Sequence, residues 1–247
     1  MTYLWALVTF MDALLDSKKY SPESNGLVVS GVEEVHKIAG AVNLSFSSLQ
    51  DAVDRQANFL VSHHAAWSST DANLAEGKYR FAREAGLSVY VAHDSLDRHP
   101  SIGTAISLAR VLGYDIASLF ADGLGVIAIP PVDTSFADFQ KHVHDSVNSE
   151  ALAWPSTVNA RRIAIITGWG ARPEWMSLAQ QAGADTFLSG EAIHFGKLYA
   201  TEAGLNLILA GHYATEVPGV RSLIEELTRE FAIETVFLPD RTSHRLF

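Results

Sequence analysis

Two histidines stand side by side at positions 63 and 64, directly after a short apolar run. Neighbouring side chains point to opposite faces within a strand, but the backbone turns where a strand ends, so adjacent imidazoles can there reach two different ions. A bridged pair of metal ions needs ligands arranged in this way. His63 and His64 therefore indicate a dinuclear metal site, and a pair of hydrogen-bonded structural histidines remains the alternative.

A second segment with ligand chemistry reads His-Asp-Ser-Leu-Asp-Arg-His-Pro and spans residues 93–100, again after an apolar run. Asp97 could supply an oxygen ligand, because carboxylates bind divalent cations and can bridge two of them. An aspartate in such a segment also commonly caps a loop. Asp97 on its own therefore does not decide between a metal site and a structural role.

A third pair of candidates lies near the carboxyl end of the chain. His212 and Glu216 are four residues apart, so one helical turn would place both side chains on the same face. Pro218 disfavours a helical conformation at Val217 and is expected to open the next helix. Glu216 is therefore predicted to lie on an isolated turn that still approaches His212, although taken alone it also fits a solvated helix residue.

These candidates follow apolar runs that alternate with helical patterns, which is typical of α/β layers with largely parallel strands. Ligands of parallel sheets bind beyond the carboxyl ends of the strands, so we expect the candidates to gather there. The predicted strands are 37–43, 59–62, 88–92, 125–129, 162–167, 186–189, 206–209 and 235–238. The predicted helices lie near 46–56, 73–85, 101–112, 135–149, 173–182, 192–203 and 219–231.

One stretch of sequence is repeated. Residues 84–93 read Glu-Ala-Gly-Leu-Ser-Val-Tyr-Val-Ala-His, and residues 202–212 read Glu-Ala-Gly-Leu-Asn-Leu-Ile-Leu-Ala-Gly-His. Each predicts a helix end with a glycine cap, a strand, and a histidine beyond it. The repeat indicates two similar α/β lobes, residues 1–124 and 125–247. Chance similarity is the alternative, because this helix-to-strand junction is a common one.

Composition and motifs exclude several other chemistries. The 247 residues include no cysteine, so disulfides, thiolate metal sites and cysteine nucleophiles are excluded. A formal net charge of −10 disfavours non-specific electrostatic binding of nucleic acid, which normally requires a basic surface. The sequence Gly168-Trp169-Gly170 is predicted to be a plain turn, since no P-loop or dinucleotide fingerprint accompanies it.

The apolar segment near the amino terminus is predicted to be a core helix rather than a targeting signal. It lacks a basic start and a small-residue cleavage site, and it carries Asp12. Leu4, Leu7, Met11 and Leu14 recur at helical spacing. No run of 18 uncharged apolar residues is present, so we expect no membrane span and a cytoplasmic location.

Taken together, four ordered motifs resemble those of the GTP cyclohydrolase 1 type 2 homolog family, also called the NIF-three-like proteins. The family's double histidine after a strand is seen at His63 and His64, and its His-x-x-Leu-Asp-x-His-Pro segment at residues 93–100. Its Thr-Gly-Glu element appears as Ser189-Gly190-Glu191, and its Gly-His-x-x-Thr-Glu element spans residues 211–216. The resemblance covers most of the chain.

The resemblance implies two similar α/β lobes, a dinuclear metal site in the cleft between them, and a homohexameric ring. Imidazole and carboxylate ligands suit Zn, Fe, Mn or Mg without choosing among these divalent ions. Three places depart from the family pattern. Residues 24–29 are what remains of an Asn-Trp-Asp-like segment before Gly-Leu-Gln-Val, Asn43 replaces a common aspartate, and Trp67 follows the double histidine in place of a proline- or phenylalanine-containing loop. The ligands implied by the resemblance are His63, His64, Asp97, His212 and Glu216, with His93 as a further ligand or a neighbour.

Two functions fit these motifs. The first is a metal-dependent hydrolase of a small substrate, nucleotide-like or not, with Glu191 as the candidate general base or as a residue that supports a ligand. The cyclohydrolase in the family's name is a transferred label that the sequence does not establish. The second is a non-catalytic metal-handling or regulatory protein that stores or delivers ions and binds a partner.

Overall fold

The computed structural model describes residues 2–240 and shows a mixed α/β fold. The chain forms two compact units, one made of Met1–Leu96 with Val220–Phe247 and the other of Asp97–Gly219. We call these unit 1 and unit 2.

The elements of the described range follow one another in alternating order. The strands are β1 (Thr2–Tyr3), β2 (Asn25–Val29), β3 (Glu34–Val35), β4 (Lys37–Asn43), β5 (Phe59–His64), β6 (Ser88–Ala92), β7 (Asp115–Phe120), β8 (Gly125–Ile129), β9 (Leu152–Trp154), β10 (Ile163–Ile165), β11 (Thr186–Ser189), β12 (Asn206–Leu209) and β13 (Glu234–Phe237). The α-helices are α1 (Leu4–Leu15), α2 (Phe46–Asp54), α3 (Ala72–Glu84), α4 (Asp94–Asp97), α5 (Thr104–Val111), α6 (Phe136–Ser146), α7 (Pro173–Gln181), α8 (His194–Glu202) and α9 (His212–Phe231).

Unit 1 is built around a five-stranded sheet with the order β13-β4-β5-β6-β2. The first four strands of this order run parallel to their neighbours, and β2 closes the edge antiparallel to β6. Every residue of β5 is buried, as expected for a parallel strand that is covered on both faces and therefore reads as a continuous apolar run. The α2 helix that follows β4 begins at a capping box and buries Leu49 and Ala52 against Leu60 of β5.

Unit 2 contains a six-stranded sheet with the order β7-β8-β10-β11-β12-β9. Strands β10, β11 and β12 are parallel, and β8 and β9 flank them in antiparallel orientation. Ile163 and Ile165 of β10 pack into one apolar core, while Ala164 between them packs into the other. This alternation places a core on each side of the sheet.

The two sheets share a strand pattern. In each, three parallel strands appear in chain order and an antiparallel strand lies beside the third: β4-β5-β6-β2 in unit 1 and β10-β11-β12-β9 in unit 2. The repeated sequences 84–93 and 202–212 therefore fall on the third parallel strand of each set. The carboxyl ends of all six strands carry the candidate site residues or lie beside them.

Most predicted strands are confirmed, and several have the predicted bounds, including β4, β6, β8, β11 and β12. The β5 strand continues two residues further than predicted, so that His63 and His64 are its last residues. The antiparallel strands β2, β7 and β9 were not predicted. They are short and partly exposed, with apolar runs of at most three residues within the strands, and pairing with a neighbouring strand determines them instead.

The prediction that Pro218 opens a new helix is wrong. Pro218 lies inside the continuous helix α9, which begins at His212. An interior proline removes a backbone hydrogen bond and costs about 3 kcal/mol. The buried side chains that follow it in the same helix offset this cost: Val220, Leu223, Ile224 and Leu227. Glu216 therefore lies on a regular helical turn with His212 rather than on an isolated one.

The division into units runs differently from the boundary expected between residues 124 and 125. Helix α5 packs in the apolar core of unit 2 through Ala105 and Leu108, so the segment before residue 124 belongs there. At the other end, β13 pairs with β4 and belongs to unit 1. The predicted lobes 1–124 and 125–247 follow the repeated sequence, and they remain a prediction about that repeat.

The helix expected near the amino terminus is confirmed as α1. Leu4, Leu7 and Met11 are buried on its inner face, and Leu15 rather than Leu14 completes the buried stripe. Within residues 2–240, no helix is both long enough and apolar enough to cross a membrane. The cytoplasmic location stays a prediction.

Candidate metal centre

Three histidines of unit 1 gather at the carboxyl ends of two neighbouring strands. His63 and His64 end β5, and His93 directly follows β6. One ring nitrogen of each lies within 4.8 Å of those of the other two. The ring centroid of His63 is 4.8 Å from those of both His64 and His93. We call these three residues the imidazole cluster, and its spacing is that of side chains able to share one or two cations.

The ring of His63 is held by the backbone of the next strand. Its Nδ1 atom lies 2.8 Å from the carbonyl oxygen of Ala92. A carbonyl oxygen can only accept a hydrogen bond, so Nδ1 carries the proton in this interaction and Nε2 has the lone pair when the ring is neutral. Metal-binding histidines are commonly oriented by such a hydrogen bond on the other ring nitrogen.

The ring of His64 is held in the same way by a side chain. Its Nδ1 atom lies 2.7 Å from Oδ1 of Asn43, a residue that pairs with His64 across β4 and β5. The amide oxygen accepts the hydrogen bond, so Nδ1 is again the protonated nitrogen and Nε2 the one with the lone pair. Both members of the doublet therefore offer Nε2 as a ligand atom.

The loop that carries His93 is anchored by a buried asparagine whose anchoring role the sequence did not reveal. The side-chain oxygen of Asn25 accepts hydrogen bonds from the backbone N–H groups of His93 (3.1 Å) and Ser95 (3.0 Å). The imidazole of His93 lies 3.3 Å from a carboxylate oxygen of Asp94. Asn25 thus fixes the backbone directly after β6, at the residue that carries the third imidazole.

Trp67 lies beside two rings of this cluster. Its ring centroid lies 5.9 Å from that of His64 and 5.8 Å from that of His93. The residue adopts a left-handed backbone conformation with φ at 57°, which is uncommon for a bulky side chain. The indole therefore lies beside two candidate ligands while almost half of its surface remains exposed.

Unit 2 carries a different arrangement, centred on one histidine between two carboxylates. Nε2 of His212 lies 3.0 Å from Oε1 of Glu216, and its Nδ1 lies 3.3 Å from Oε2 of Glu191. Glu216 is buried, whereas Glu191, at the carboxyl end of β11, is more than half exposed. We call these three residues the carboxylate cluster. Its two carboxylates contact opposite nitrogens of the same imidazole ring.

The protonation of His212 reflects these surroundings. Burial lowers the pKa of His212, but the hydrogen bonds and negative charges of Glu216 and Glu191 outweigh burial and raise its pKa to about 9. Both ring nitrogens then act as donors, and the imidazolium serves as the cation between the two acids. A metal ion bound to one of these nitrogens would take the place of the proton on it.

A glycine makes room for the carboxylate cluster. Gly168 follows β10 with φ at 57°, and a Cβ atom there would collide with Oε1 of Glu216 and stand 3.0 Å from Nε2 of His212. Its backbone N–H donates to Oγ1 of Thr215, and its carbonyl oxygen accepts from the backbone N–H of Glu191. The segment forms a bend in the backbone after β10. The sequence contained no signal that this bend closes on His212 and Glu216, because their approach depends on the packing of three separate strand ends.

Asp97 lies at the start of unit 2, at the end of helix α4. Its Oδ1 accepts a hydrogen bond of 2.7 Å from the hydroxyl of Thr104, which in turn accepts one of 2.7 Å from the hydroxyl of Thr167. This chain of hydroxyls ties Asp97 to the residue before Gly168. The role of Asp97 as a metal ligand stays a prediction.

Comparison with known proteins shows similarity along nearly the whole chain. The model of the family described as Duf34/NIF3 (NGG1p interacting factor 3) matches residues 4–243. A protein of Pseudomonas aeruginosa called GTP cyclohydrolase 1 type 2 homolog is 34% identical over 249 residues, which cover 95% of this chain and 96% of the relative. A protein of the same name in Halobacterium salinarum is 35% identical over 240 residues, 89% of this chain and 90% of the relative.

Solved structures are also similar to this chain along nearly its whole length. The TTHA1606 protein of Thermus thermophilus is 26% identical with a TM-score of 0.86, over 97% of this chain and 98% of that one. The ybgI protein, described as of unknown function, is 25% identical with a TM-score of 0.88, over 97% and 99% of the two chains. These similarities confirm the α/β fold and the resemblance carried by the four motifs.

Proposed function

Since this chain belongs to the Duf34/NIF3 family, we propose that it binds two divalent metal ions and hydrolyses a small substrate, with nucleotides as the first class to test. The observation that carries the proposal is the imidazole cluster. His63 and His64 both have Nδ1 committed to an oxygen acceptor, so Nε2 is the nitrogen that keeps the lone pair on each ring and can serve as the ligand atom.

The side chains of both units fit such ions chemically. The imidazole cluster supplies nitrogen donors, and the carboxylate cluster supplies oxygen donors and a negative environment that already raises the pKa of His212. Nitrogen and oxygen donors together suit Zn, Fe or Mn, and an oxygen-rich subset suits Mg. The proposed ligand set draws on both clusters: His63, His64, Asp97, His212 and Glu216, with His93 as a further ligand or neighbour.

Glu191 is the proposed general base. Bound divalent ions supply a water of lowered pKa and hold negative charge that develops on a substrate. The Glu191 carboxylate is more than half exposed and lies 3.3 Å from Nδ1 of His212. It can therefore meet solvent and substrate while His212 orients it, and it can accept a proton from water and pass it on.

A second candidate function, non-catalytic storage or delivery of ions, is favoured by the exposure of part of the ligand set. About a quarter of the His93 side chain and a third of the His212 side chain are exposed, in contrast to the buried Glu216. Ligands that reach solvent allow ions to exchange. Transfer of zinc to an acceptor protein without any hydrolytic turnover would favour this function over the first.

The oligomer and the partners belong to the same proposal. A homohexameric ring, implied by the family resemblance, predicts a particle six times the mass of one chain in light scattering. The net charge of −10 disfavours a nucleic-acid partner. A filter-binding assay over a salt series should accordingly detect no tight complex.

Metal analysis of the wild-type protein and of matched variants tests the proposal. Wild type, stripped with a chelator and reloaded, should bind two ions per chain and hydrolyse a member of a nucleotide and metabolite pool. His64→Ala should lose at least one ion and the activity. His36→Ala is the control, because His36 is an exposed histidine of unit 1 whose Nε2 meets the carbonyl of Gln56 outside the cluster. A wild type that stays empty, or a His64→Ala variant that behaves like wild type, would refute the proposal.

A further inference from the structure

The carboxyl ends of three adjacent strands place three polar side chains in a row. The sheet order β13-β4-β5 brings together Asp240, three residues beyond β13, Asn43 at the end of β4 and His64 at the end of β5. All three belong to unit 1. Asp240 is far from the other two in sequence, so only the parallel pairing of β13 with β4 brings it here.

The hydrogen bonds along this row run in one direction. Nδ2 of Asn43 donates to Oδ2 of Asp240 at 2.6 Å, and Oδ1 of Asn43 accepts from Nδ1 of His64 at 2.7 Å. A carboxylate can only accept, so the amide must turn its nitrogen toward Asp240 and its oxygen toward His64. The amide oxygen then faces Nδ1 of His64, an arrangement that suits the Nδ1–H form of the ring.

Asn43, the middle residue of the row, is held in place by contacts of its own backbone, so its amide can keep this orientation. The carbonyl oxygen of Asn43 accepts a hydrogen bond of 2.8 Å from the hydroxyl of Ser48, a member of the capping box of α2. Two residues before Asp240, the backbone N–H of the buried Leu238 donates to the carbonyl of Gly40 at 2.8 Å. Backbone contacts on both sides therefore fix the separation of the amide and the carboxylate.

We propose that Asp240 is a positioning residue for His64, acting through the Asn43 amide to hold the Nδ1–H tautomer and to present Nε2 for a cation. The part that concerns the cation rests on the proposed function, whereas the tautomer does not. The negative charge of Asp240 polarises the amide and strengthens the hydrogen bond that Asn43 accepts from His64. A more polarised Nδ1–H makes Nε2 a better donor to a metal ion.

The tautomer is tested on the metal-free protein. Nitrogen NMR of chain labelled with ¹⁵N-histidine, with His64→Ala used for assignment, should show the Nδ1–H form for His64 in wild type. Asp240→Ala and Asn43→Ala should shift the ring toward the Nε2–H form. Asp54→Ala is the matched control, because Asp54 accepts an equivalent hydrogen bond from the amide of Gln50 on the surface of the same unit.

Zinc affinity, measured by competition with a chelating dye, tests the effect on the cation. Asp240→Ala should weaken binding about 10-fold, at the low end of the range for residues that orient a ligand. In the double variant Asn43→Asp with Asp240→Ala, the new carboxylate accepts directly from His64, so affinity should return. Asn43→Ala with Asp240→Ala should not recover. Asp240→Asn, which can still accept from Asn43 without the charge, should fall between wild type and Asp240→Ala and keeps the test valid if the alanine variant fails to fold.

The outcomes separate this inference from the proposed function. An unchanged tautomer in Asp240→Ala and Asp240→Asn, together with unchanged zinc affinity, overturns the positioning role even if wild type binds two ions. A changed tautomer in a protein that binds no zinc supports the positioning role and refutes the proposed function. Loss of affinity that Asn43→Asp does not rescue overturns the inference, because it shows that Asp240 supports the fold rather than His64.

Discussion

The imidazole cluster and the carboxylate cluster occupy equivalent strand ends, but different groups surround their imidazole rings. In unit 1, the Nδ1 atoms of His63 and His64 donate to neutral oxygens, the carbonyl of Ala92 and the amide of Asn43. In unit 2, both nitrogens of His212 face carboxylates. One arrangement places oxygen acceptors at Nδ1 and leaves Nε2 to offer a lone pair when the ring is neutral, and the other attracts a positive charge, whether a proton or a metal ion.

Strand pattern and site chemistry are set by different residues. Both sheets have three parallel strands in chain order with an antiparallel strand beside the third. The chemistry depends on the residues at the carboxyl end of each strand: β5 ends in two histidines, whereas Gly190 and Glu191 come directly after β11. A glycine at 190 is required because a Cβ atom there would lie 2.6 Å from the carbonyl oxygen of Gly168.

The largest expected effect is on the proton affinity of His212. Glu216→Gln removes the buried negative charge beside Nε2, and the pKa of His212 should fall from about 9 toward or below its ordinary value of 6.5, a loss of roughly two orders of magnitude in proton affinity. NMR titration of the metal-free protein measures this directly. Glu191→Gln should cause a smaller fall, because Glu191 is farther away and more exposed.

The raised pKa of His212 also determines whether the folded state gains or loses stability as the pH rises. Because the pKa of His212 is higher in the folded state than in the unfolded chain, the stabilisation by its charged form is complete below pH 6.5 and is lost as the pH rises through about 9. The melting temperature of the metal-free wild type should include a decrease over this window that Glu216→Gln lacks. If both proteins show the same profile, the contrast between the two clusters is not electrostatic.

A smaller effect is expected from filling the space beside the carboxylate cluster. Gly168→Ala should lower metal affinity by about 10-fold to 100-fold, because its Cβ atom would displace Glu216 and His212. Gly204→Ala is the control: Gly204 also has a positive φ, of 67°, but a Cβ atom there meets no atom of residues 2–240 within 4 Å. Both variants should lose about 1 kcal/mol through backbone strain. Equal metal affinities in the two variants would show that the cluster does not need this space.

The smallest expected effect on metal affinity comes from Asn25→Ala, which removes a hydrogen-bond acceptor beside the imidazole cluster. Asn25→Ala leaves the backbone N–H groups of His93 and Ser95 without their acceptor, so it should cost about 1–3 kcal/mol of folding free energy and weaken metal binding severalfold. Asn206, at the start of β12, likewise accepts from two backbone N–H groups, those of Ser156 and Thr157.

Asn206→Ala is therefore the matched comparison for Asn25→Ala. It should destabilise unit 2 by a similar free energy in chemical denaturation, yet leave metal affinity unchanged, because it anchors the strand end opposite to the one that carries His212. If the two variants weaken metal binding equally, loss of stability rather than loss of a positioned loop explains the effect of Asn25→Ala.

Local sequence patterns were sufficient for most of the sheet and for the separate pieces of the site. The apolar runs 88–92 and 206–209 have the bounds of β6 and β12 because a buried parallel strand requires a continuous apolar segment. The same patterns failed at Pro218, where burial of later helix residues outweighs the local cost of proline. They also failed at β7, whose mostly exposed residues carry no long apolar run.

By itself, the sequence determined which side chains stand at strand ends: the doublet His63 and His64, His93, Glu191, and the pair His212 and Glu216. These are local facts, since each residue lies within a few positions of the strand that carries it. Only the tertiary structure decided which groups hold them: Asn25, Asn43 and Asp240 in unit 1, and Gly168 in unit 2. The physical reason is that hydrogen bonds and steric limits act between strands paired across long sequence separations, which no local pattern records.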